Sequence, residues 1–213
     1  MVRRRLLGLV LGALALVQVG SASAATELDG DQLAAVLRAE IYLNQIKSFQ
    51  ARFVQISSNG AFAEGEVFVD RPGKLRFEYD PPNPILLIAD GINLLYYDKE
   101  LKQSTFIPLW ETPLWFLIRD QIDLSKGVEV TDVELAKGVI RMTLQEEDAG
   151  DAGAVTLEFS DKPFALRKWE VVDPQGITTQ VALINPEFGV ALDKKVFDYG
   201  DLDVHGLGIG GDR

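Results

Sequence analysis

Side chains that could do chemistry are scarce in this sequence of 213 residues. It contains no cysteine and one histidine, His205, which lies in a glycine-rich stretch near the C-terminus. Without cysteine there can be no disulfide, thiolate metal site, cysteine nucleophile or lipid-modified N-terminal cysteine. A serine nucleophile would in turn have no histidine base inside a folded segment. The sequence therefore predicts a protein that is not an enzyme and that holds neither a metal ion nor a cofactor.

Carboxylates are the remaining candidates for acid–base chemistry. Glu64 and Glu66 share one face of a predicted strand, and Asp201 and Asp203 lie in the C-terminal stretch. Both pairs are typical of solvated surface charge rather than of a catalytic acid and base. The acidic run at residues 146–148 lacks the alternating oxygen ligands of a calcium loop.

Arg71 is the polar side chain in the least ordinary position. It ends an apolar strand and precedes Pro72, which favours an extended conformation for the residue before it. On this observation alone, Arg71 is most simply explained as a solvated side chain beside a turn.

The first 24 residues have the pattern of an export signal. Arginines at residues 3–5 precede an apolar run at 6–19 and a small-residue cleavage site, Ala22-Ser23-Ala24. A retained membrane anchor is the alternative, but this run of 14 residues, at about 1.5 Å each, does not span a hydrocarbon core of about 30 Å. Cleavage removes three of the 21 basic residues and leaves 189 residues with a net charge of −14. We therefore expect an acidic protein in the periplasm of a Gram-negative cell, with no nucleic-acid partner.

One amphipathic helix is predicted over residues 31–47, with Asp31 as its N-cap. Its apolar residues include Leu33, Leu37 and Ile41 at helical spacing. Neither glycine nor proline interrupts this segment, so about four or five turns are expected.

The rest of the chain predicts short strands separated by turns. Apolar and polar residues alternate between the turns, as Leu75, Phe77 and Tyr79 do with their charged neighbours. The predicted strands are 49–57, 62–70, 74–79, 85–89, 93–97, 102–107, 128–135, 139–145, 154–160, 165–172 and 177–184. Sheets this wide rarely stay flat, so we expect a curled antiparallel meander with interior width for a ligand. Residues 25–200 are the predicted single domain and 201–213 a flexible tail.

Residues 108–127 form an insert between the sixth and seventh predicted strands. Thr112 can cap a helix, Pro113 suits its first position, and residues 114–118 are apolar on every side. A helix that is hydrophobic all round needs burial. The insert is either a plug packed permanently as core or a lid over an apolar cavity, and the sequence leaves both open.

The order of these segments resembles the outer-membrane lipoprotein carrier family, LolA. The resemblance covers residues 31–197, and the segments that carry it are FQARFVQ (49–55), GEVFVDRPGKLRFEY (65–79), ADG (89–91), YYD (96–98) and WEVVDPQG (169–176). It implies a mainly β fold, an unclosed antiparallel β-barrel of eleven strands lidded by helices. It also implies a soluble periplasmic carrier that shields the acyl chains of lipoproteins. Such a carrier takes its cargo from an inner-membrane ABC-type release complex and passes it to an outer-membrane receptor or to the outer membrane itself. We expect a monomer.

The resemblance implies three groups of site residues. Those in contact with lipid would be Phe53, Phe77, Tyr79, Leu95, Trp110, Trp115, Phe116 and Trp169. Further lid residues would be Leu33, Leu37, Ile41, Leu114 and Leu117. Arg71 matches the family's Arg-Pro motif and would latch the lid helices to the barrel, its five donors bridging helix-terminal carbonyls. Without the resemblance, each apolar residue is ordinary core.

Two features depart from the family pattern. Leu75 stands where some members carry an aromatic that contacts the release complex, and a glycine-rich tail stands where some have an ordered segment after the last strand. The alternative function is a periplasmic half-barrel that binds other lipids or senses envelope stress. A lipid-anchored receptor is disfavoured because Ala25, not cysteine, follows the cleavage site.

Overall fold

The computed structural model describes residues 27–112, 114–146, 153–173, 175–200 and 202. The predicted export signal, residues 147–148 and all of the predicted tail except Leu202, including His205, lie outside this part of the chain, as do the side chains of Leu114 and Glu146. No helix within the described ranges is long and apolar enough to cross a bilayer.

Eleven strands form one antiparallel sheet, which confirms the predicted fold class. The strands are β1 Ser48–Ser57, β2 Phe62–Asp70, β3 Lys74–Tyr79, β4 Ile85–Asp90, β5 Asn93–Asp98, β6 Gln103–Pro108, β7 Val128–Ala136, β8 Val139–Glu146, β9 Val155–Ser160, β10 Ala165–Val172 and β11 Thr178–Phe188. Their spatial order is β6-β5-β4-β3-β2-β1-β11-β10-β9-β8-β7. The described strands β6 and β7 are thus the two edges, β11 returns to pair with β1, and the sheet is not closed.

The sheet curls strongly around its concave face. Phe77 on β3 and Trp169 on β10 are separated by three intervening strands, which in a flat sheet would put them roughly 19 Å apart at a spacing of about 4.8 Å. Their ring centroids are only 6.2 Å apart. The concave face therefore folds onto itself and encloses the main hydrophobic core.

Helix α1 spans Gly30–Gln45, so it begins one residue before the predicted start at 31 and ends two residues before the predicted end at 47. Its N-cap is Asp29 rather than Asp31, because the Asp29 side chain accepts hydrogen bonds from the backbone N–H groups of Asp31 and Gln32. The Gln32 side chain accepts in return from the Asp29 N–H at 2.9 Å. This reciprocal capping box fixes the start of the helix.

Helix α1 packs on the sheet through only part of its apolar surface. Its buried residues are Ala35, Val36, Ala39 and Leu43. The predicted lid residues Leu33, Leu37 and Ile41 are 51%, 60% and 60% exposed and do not pack against the sheet. Apolar residues occupy both faces of this helix, and the small alanines allow its backbone to lie close to the sheet. Helical spacing alone could not choose between the two faces.

The insert between β6 and β7 contains a short 3-10 helix, Leu109–Glu111, and helix α2, Leu114–Ile118. Leu109, Phe116 and Ile118 are buried in the main core. Trp110, predicted to contact lipid, is 60% exposed and lies outside the main core. Because Leu109 faces inward in this single helical turn, the next residue, Trp110, faces outward.

A second hydrophobic cluster covers the convex face of β4 and β5. Its buried residues are Leu86, Ile88, Leu95 and Tyr97, with Tyr199 and Leu202 packed against them. Leu95 was expected on the concave wall and instead lies on the opposite face, where the main core takes Leu94. Strand β5 is apolar on both faces, so its alternation did not reveal which side was which.

The chain after β11 returns to the sheet within the predicted domain. A 3-10 helix, Lys194–Phe197, packs against the convex side of β3 and β4. Arg76 Nη1 donates to the Val196 carbonyl at 3.1 Å, and the Tyr199 hydroxyl donates to Asp90 Oδ2 at 2.8 Å. Leu202, which fell within the predicted flexible tail, is partly buried in the second cluster.

Candidate functional site

Four of the residues predicted to contact lipid form one aromatic wall on the concave face of the sheet. Phe53 contacts Phe77 and Tyr79 edge-on, with ring centroids 5.0 Å and 5.2 Å apart. Phe77 in turn meets Trp169 across the curl of the sheet. All four side chains are buried. The parity of strands β1, β3 and β10 thus brings together rings that lie far apart in the sequence.

Tyr79 supplies the polar edge of this aromatic wall. Its hydroxyl donates to Gln55 Oε1 at 2.7 Å, and burial raises the pKa of Tyr79 to about 12. The phenol is therefore uncharged at physiological pH. A cavity of about 110 Å³ lies beside Tyr79, lined by Gln55, Phe77, Tyr79, Leu87, Trp169, Val171, Thr179 and Val181.

A smaller cavity of about 30 Å³ lies between the wall and the helices. Its lining is apolar except for Arg71 and consists of Ile46, Phe49, Val67, Val69, Arg71, Leu75, Leu117, Ile118, Leu166 and Trp169. Such a volume holds about one water molecule. The helices are therefore closed down on the sheet, and an acyl chain needs more room than this cavity gives.

Arg71 is buried between the two helical segments and touches both. Nη1 donates to the carbonyls of Leu43 and Ile46 at the end of α1. Nε and Nη2 donate to the carbonyl of Arg119, just after α2, and Nη2 also reaches the Asp120 carbonyl at 3.0 Å. The last carbonyls of a helix lack hydrogen-bond partners within it. A guanidinium fork, with five donors, can bond several such carbonyls at once.

The electrostatics of Arg71 are those of a buried cation held by dipoles. Burial lowers the pKa of Arg71, an effect that the Asp120 charge opposes and the Arg119 charge reinforces. Among the ion pairs of the described residues none involves Arg71, and its bonds end on main-chain oxygens. The C-terminal end of a helix carries partial negative charge, which stabilises the guanidinium there.

Two side chains of α1 add further bonds to the insert. Asn44 donates through Nδ2 to the Ile122 carbonyl at 2.7 Å and accepts from the Ile122 N–H at 2.9 Å. Glu40 accepts from the Leu124 N–H at 2.8 Å. Sequence reasoning missed both residues, because polar positions inside an amphipathic helix give no sign of a partner about eighty positions away.

The other flank of α1 is fixed to the β7 to β10 half of the sheet. Gln32 donates to the Val133 carbonyl at 2.8 Å. Arg38 pairs with Asp161 at 2.7 Å and stacks 4.2 Å above the ring of Phe164. The ion pair is solvent-exposed and contributes at most about 1 kcal/mol. Helix α1 therefore has polar contacts with both halves of the sheet.

Helix α2 is joined to the sheet by a backbone contact at Gly73. The Gly73 N–H donates to the Ile118 carbonyl at 2.7 Å. Gly73 has φ +77°, and a Cβ on it would lie 2.7 Å from the Cα of Gly91. Both the left-handed backbone and the close approach require glycine at this position. The sequence predicted a turn between strands 62–70 and 74–79, but not the close approach of Gly73 to Gly91.

The predicted lipid-contact and lid residues of helix α2 whose side chains the structure describes lie against the core. Phe116 is buried, and Trp115 and Leu117 are partly buried against the same core. Leu117 also lines the small cavity beside Arg71. The side chain of Leu114 lies outside the described part of the chain. The α2 segment is thus seated on the concave core with Trp115 at its margin.

Comparison with known proteins gives a consistent match. Residues 44–200 match the family described as outer membrane lipoprotein carrier protein LolA. The outer-membrane lipoprotein carrier protein of Pseudomonas aeruginosa is 29% identical, over 79% of this chain and 85% of that protein. The corresponding protein of Dechloromonas aromatica is 30% identical, over 74% and 79% respectively. A putative outer membrane lipoprotein-sorting protein domain from Vibrio parahaemolyticus shares the fold, with a TM-score of 0.50 at 13% identity over 79% of this chain and 97% of that chain.

Proposed function

This chain belongs to the LolA family of outer-membrane lipoprotein carriers, and from that premise we propose that it is a soluble periplasmic carrier for the acyl chains of lipoproteins. Each CH₂ exposed to water costs about 0.8 kcal/mol, so acylated cargo does not cross an aqueous compartment unaided. The concave wall of Phe53, Phe77, Tyr79 and Trp169 supplies the apolar contact that such cargo needs. No catalytic step is part of this function.

The observation that carries the proposal is the position of Arg71 between two lids that enclose an apolar space. The two lids are helix α1 and the α2 segment, which comprises residues 114–122. Only about 30 Å³ is free beside Arg71, too little for an acyl chain while the lids lie against the wall. Loading requires the lids to separate, which breaks the bonds from Arg71 to Leu43, Ile46 and Arg119. Hydrogen bonds of a charged group to carbonyls re-form on release, which makes the latch reversible.

The proposed route begins and ends at membranes. Cargo is taken from an inner-membrane ABC-type release complex and passed to an outer-membrane receptor or to the outer membrane itself, and the carrier acts as a monomer. Where some family members carry an aromatic that contacts the release complex, this chain has Leu75 and lacks that aromatic contact. Because Leu75 is buried beneath the lids, it becomes available only when they open.

Capture of acylated cargo tests the proposal. Protein recovered from the periplasm without detergent is mixed with a triacylated lipoprotein, or with its unacylated form, and complexes are separated by size. We expect a soluble complex with the triacylated form only. Equal binding of both forms would indicate peptide recognition, and recovery of phospholipid in place of lipoprotein would favour a half-barrel that binds other lipids.

A further inference from the structure

The cavity beside Tyr79, which we call the far-end cavity, lies toward the end of the sheet opposite the lids. Strand β1 begins beside the latch, where the Arg71 N–H donates to the Lys47 carbonyl at 2.7 Å. Gln55 lies seven residues after Ser48 on this strand, which at about 3.3 Å per residue is roughly 23 Å. Gln55 lines the cavity together with Tyr79, the last residue of β3. The far-end cavity is therefore separate from the space beside the latch.

Trp169 is the boundary between the two spaces. Among the described residues it is the only one that lines both the far-end cavity and the smaller cavity beside Arg71. Its ring also meets Phe77 across the curl of the sheet. The far-end cavity has the greater free volume, about 110 Å³ against about 30 Å³. A volume several times that of one water molecule admits a carbonyl group and the first carbons of an acyl chain.

The polar side chains of the far-end cavity leave one donor group unused. The Tyr79 hydroxyl donates to Gln55 Oε1 at 2.7 Å, and the hydroxyls of Thr179 and Ser57 are bonded to each other at 3.0 Å. Within the described part of the chain, Gln55 Nε2 meets no acceptor. Because a glutamine amide has two donors on this nitrogen, the half-buried Gln55 can donate to a ligand without losing its bond to Tyr79.

The far-end cavity is lined without charge, as far as the described residues show. Burial raises the pKa of Tyr79 to about 12, which keeps the phenol neutral. The described basic residues at this end of the sheet lie outside the cavity: Arg52, Lys99, Lys102 and Lys126. All but Lys102, which is exposed in the β5–β6 turn, are paired with acidic residues. The described acidic residues there also lie outside it: Glu64, Glu78, Asp80, Asp98, Glu100, Asp123, Glu129 and Asp173. An ionic group would lose its hydration in this cavity without gaining a counter-charge, so an uncharged ligand fits it best.

We propose that the far-end cavity binds the carbonyl group of an uncharged acyl ester or amide, with Gln55 Nε2 as the donor. The inference rests on the proposed carrier function, since the acylated N-terminus of a lipoprotein presents such carbonyls. The carbonyl oxygen supplies the acceptor that the Gln55 amide lacks, and the attached chain continues along apolar side chains toward Trp169. A fatty acid brings a carboxylate and a phospholipid a phosphate, and neither meets a cation in the lining. Bound this way, the head of the cargo lies at the far end and its chains run toward the lids.

Two lipids that differ only in the carbonyl test this site. Monolauroylglycerol is an ester, and its ether analogue monododecylglycerol has the same head group and chain length. Each is titrated below its micelle concentration into the exported protein, and binding is followed by tryptophan emission, because Trp169 lines the cavity. We expect the ester to bind about three- to tenfold more tightly than the ether, the gain of one neutral hydrogen bond. Laurate, the matching carboxylate, should bind more weakly than the ester.

Substitutions at Gln55 and Tyr79 locate the carbonyl. Gln55→Leu alone would free the Tyr79 hydroxyl to donate in its place, so the decisive variant is Q55L/Y79F. This variant should bind ester and ether equally, and its binding of the ether shows that it is folded. Tyr79→Phe alone leaves the Gln55 donor in place and should still favour the ester. The matched control is Gln50→Leu, on the opposite face of β1, where the side chain donates to Glu187. It should retain the full preference.

Three results would overturn the far-end site. They are equal affinity of the wild type for ester and ether, an ester preference that survives in Q55L/Y79F, and tighter binding of laurate than of the ester. Displacement of bound monolauroylglycerol identifies the source of the carbonyl. A triacylated lipopeptide should displace it at about tenfold lower concentration than a short-chain phosphatidylglycerol, because the phosphate meets no cation in the lining. The reverse order would contradict the assignment to lipoprotein.

The lipid titrations separate this inference from the carrier function, which is tested by capture of triacylated lipoprotein. Capture together with equal binding of ester and ether would reject the far-end site and leave the carrier intact. An ester preference that is lost in Q55L/Y79F, without capture of lipoprotein, would reject the carrier and leave a site for other lipid esters.

Discussion

Arg71 donates two hydrogen bonds to the main-chain carbonyl of Arg119, at 2.9 Å from Nε and 2.7 Å from Nη2. The other nitrogen, Nη1, is bonded to the end of α1. One side chain on the connection between β2 and β3 therefore holds both lids at once. A lid cannot lift without breaking at least one arm of this guanidinium.

Arg71→Leu should shift the carrier toward its open, loaded state. The substitution removes the bonds by which Arg71 holds both lids and leaves the carbonyls of Ile46 and Arg119 without this donor in the closed form. The bonds between Asn44 and Ile122 remain. Since a hydrogen bond of a charged group contributes about 1.5–3 kcal/mol, bound lipoprotein should be released at least about tenfold more slowly. The measurement is the rate of transfer of cargo to an outer-membrane acceptor.

Two variants control the Arg71 experiment. Arg52→Leu removes an exposed arginine whose partner is Asp80 on the convex side, and it should transfer cargo at the wild-type rate. Arg71→Lys keeps the charge but lacks the fork that reaches both lids, so its rate should fall between the two. Wild-type release from Arg71→Leu would reduce Arg71 to a structural residue.

Gly73→Ala should destabilise the protein more than Gly138→Ala, because Gly138 lies in an open turn. Gly73 and Gly138 have similar positive φ, +77° and +81°, but a Cβ meets Gly91 only at the first position. The extra cost of the collision should be about 1–3 kcal/mol in the free energy of unfolding. Denaturant titration of the two variants measures it, and equal losses would show that backbone strain alone matters at Gly73.

Tyr79 should make stability depend on alkaline pH. Burial raises its pKa from 10.0 to about 12 in the folded state. A raised folded pKa gives stability that is complete below the unfolded value and is lost as pH rises toward the folded one. The stability advantage of the wild type over Tyr79→Phe should therefore shrink between about pH 10 and pH 12. A difference that is constant over this range would contradict the burial of the phenol.

The sequence predicted the sheet well because its strands are separated by clear turns and most alternate cleanly. Leu75, Phe77 and Tyr79 alternate with charged residues, so the face of β3 that turns inward was unambiguous. Strand β5 has two leucines followed by two tyrosines at residues 94–97, and apolar residues cover both of its faces. Parity then carries no information, and Leu95 was placed on the wrong side.

The lids were harder to predict than the sheet. Helix α1 has apolar residues on two faces, and the choice of Ala35 and Ala39 for burial depends on how closely the helix approaches the sheet. The partners of Arg71 and Asn44 come from the insert, far along the chain. Residue types show that such groups can form bonds, but only the fold shows which carbonyls they meet.

Lid separation is the central claim, and a distance measurement tests it directly. The chain has no cysteine, so spin labels can be attached at introduced cysteines alone. Gln45, at the end of α1, and Glu111, in the 3-10 helix that leads into α2, are both exposed and report on α1 and on the insert. Asn59 and Lys137, in turns of the sheet, provide a reference pair. Pulsed electron–electron double resonance should show a longer Gln45–Glu111 distance when triacylated lipoprotein is bound, while the Asn59–Lys137 distance stays unchanged. An identical Gln45–Glu111 distance in empty and fully loaded protein would mean that the lids are fixed and that cargo is held elsewhere.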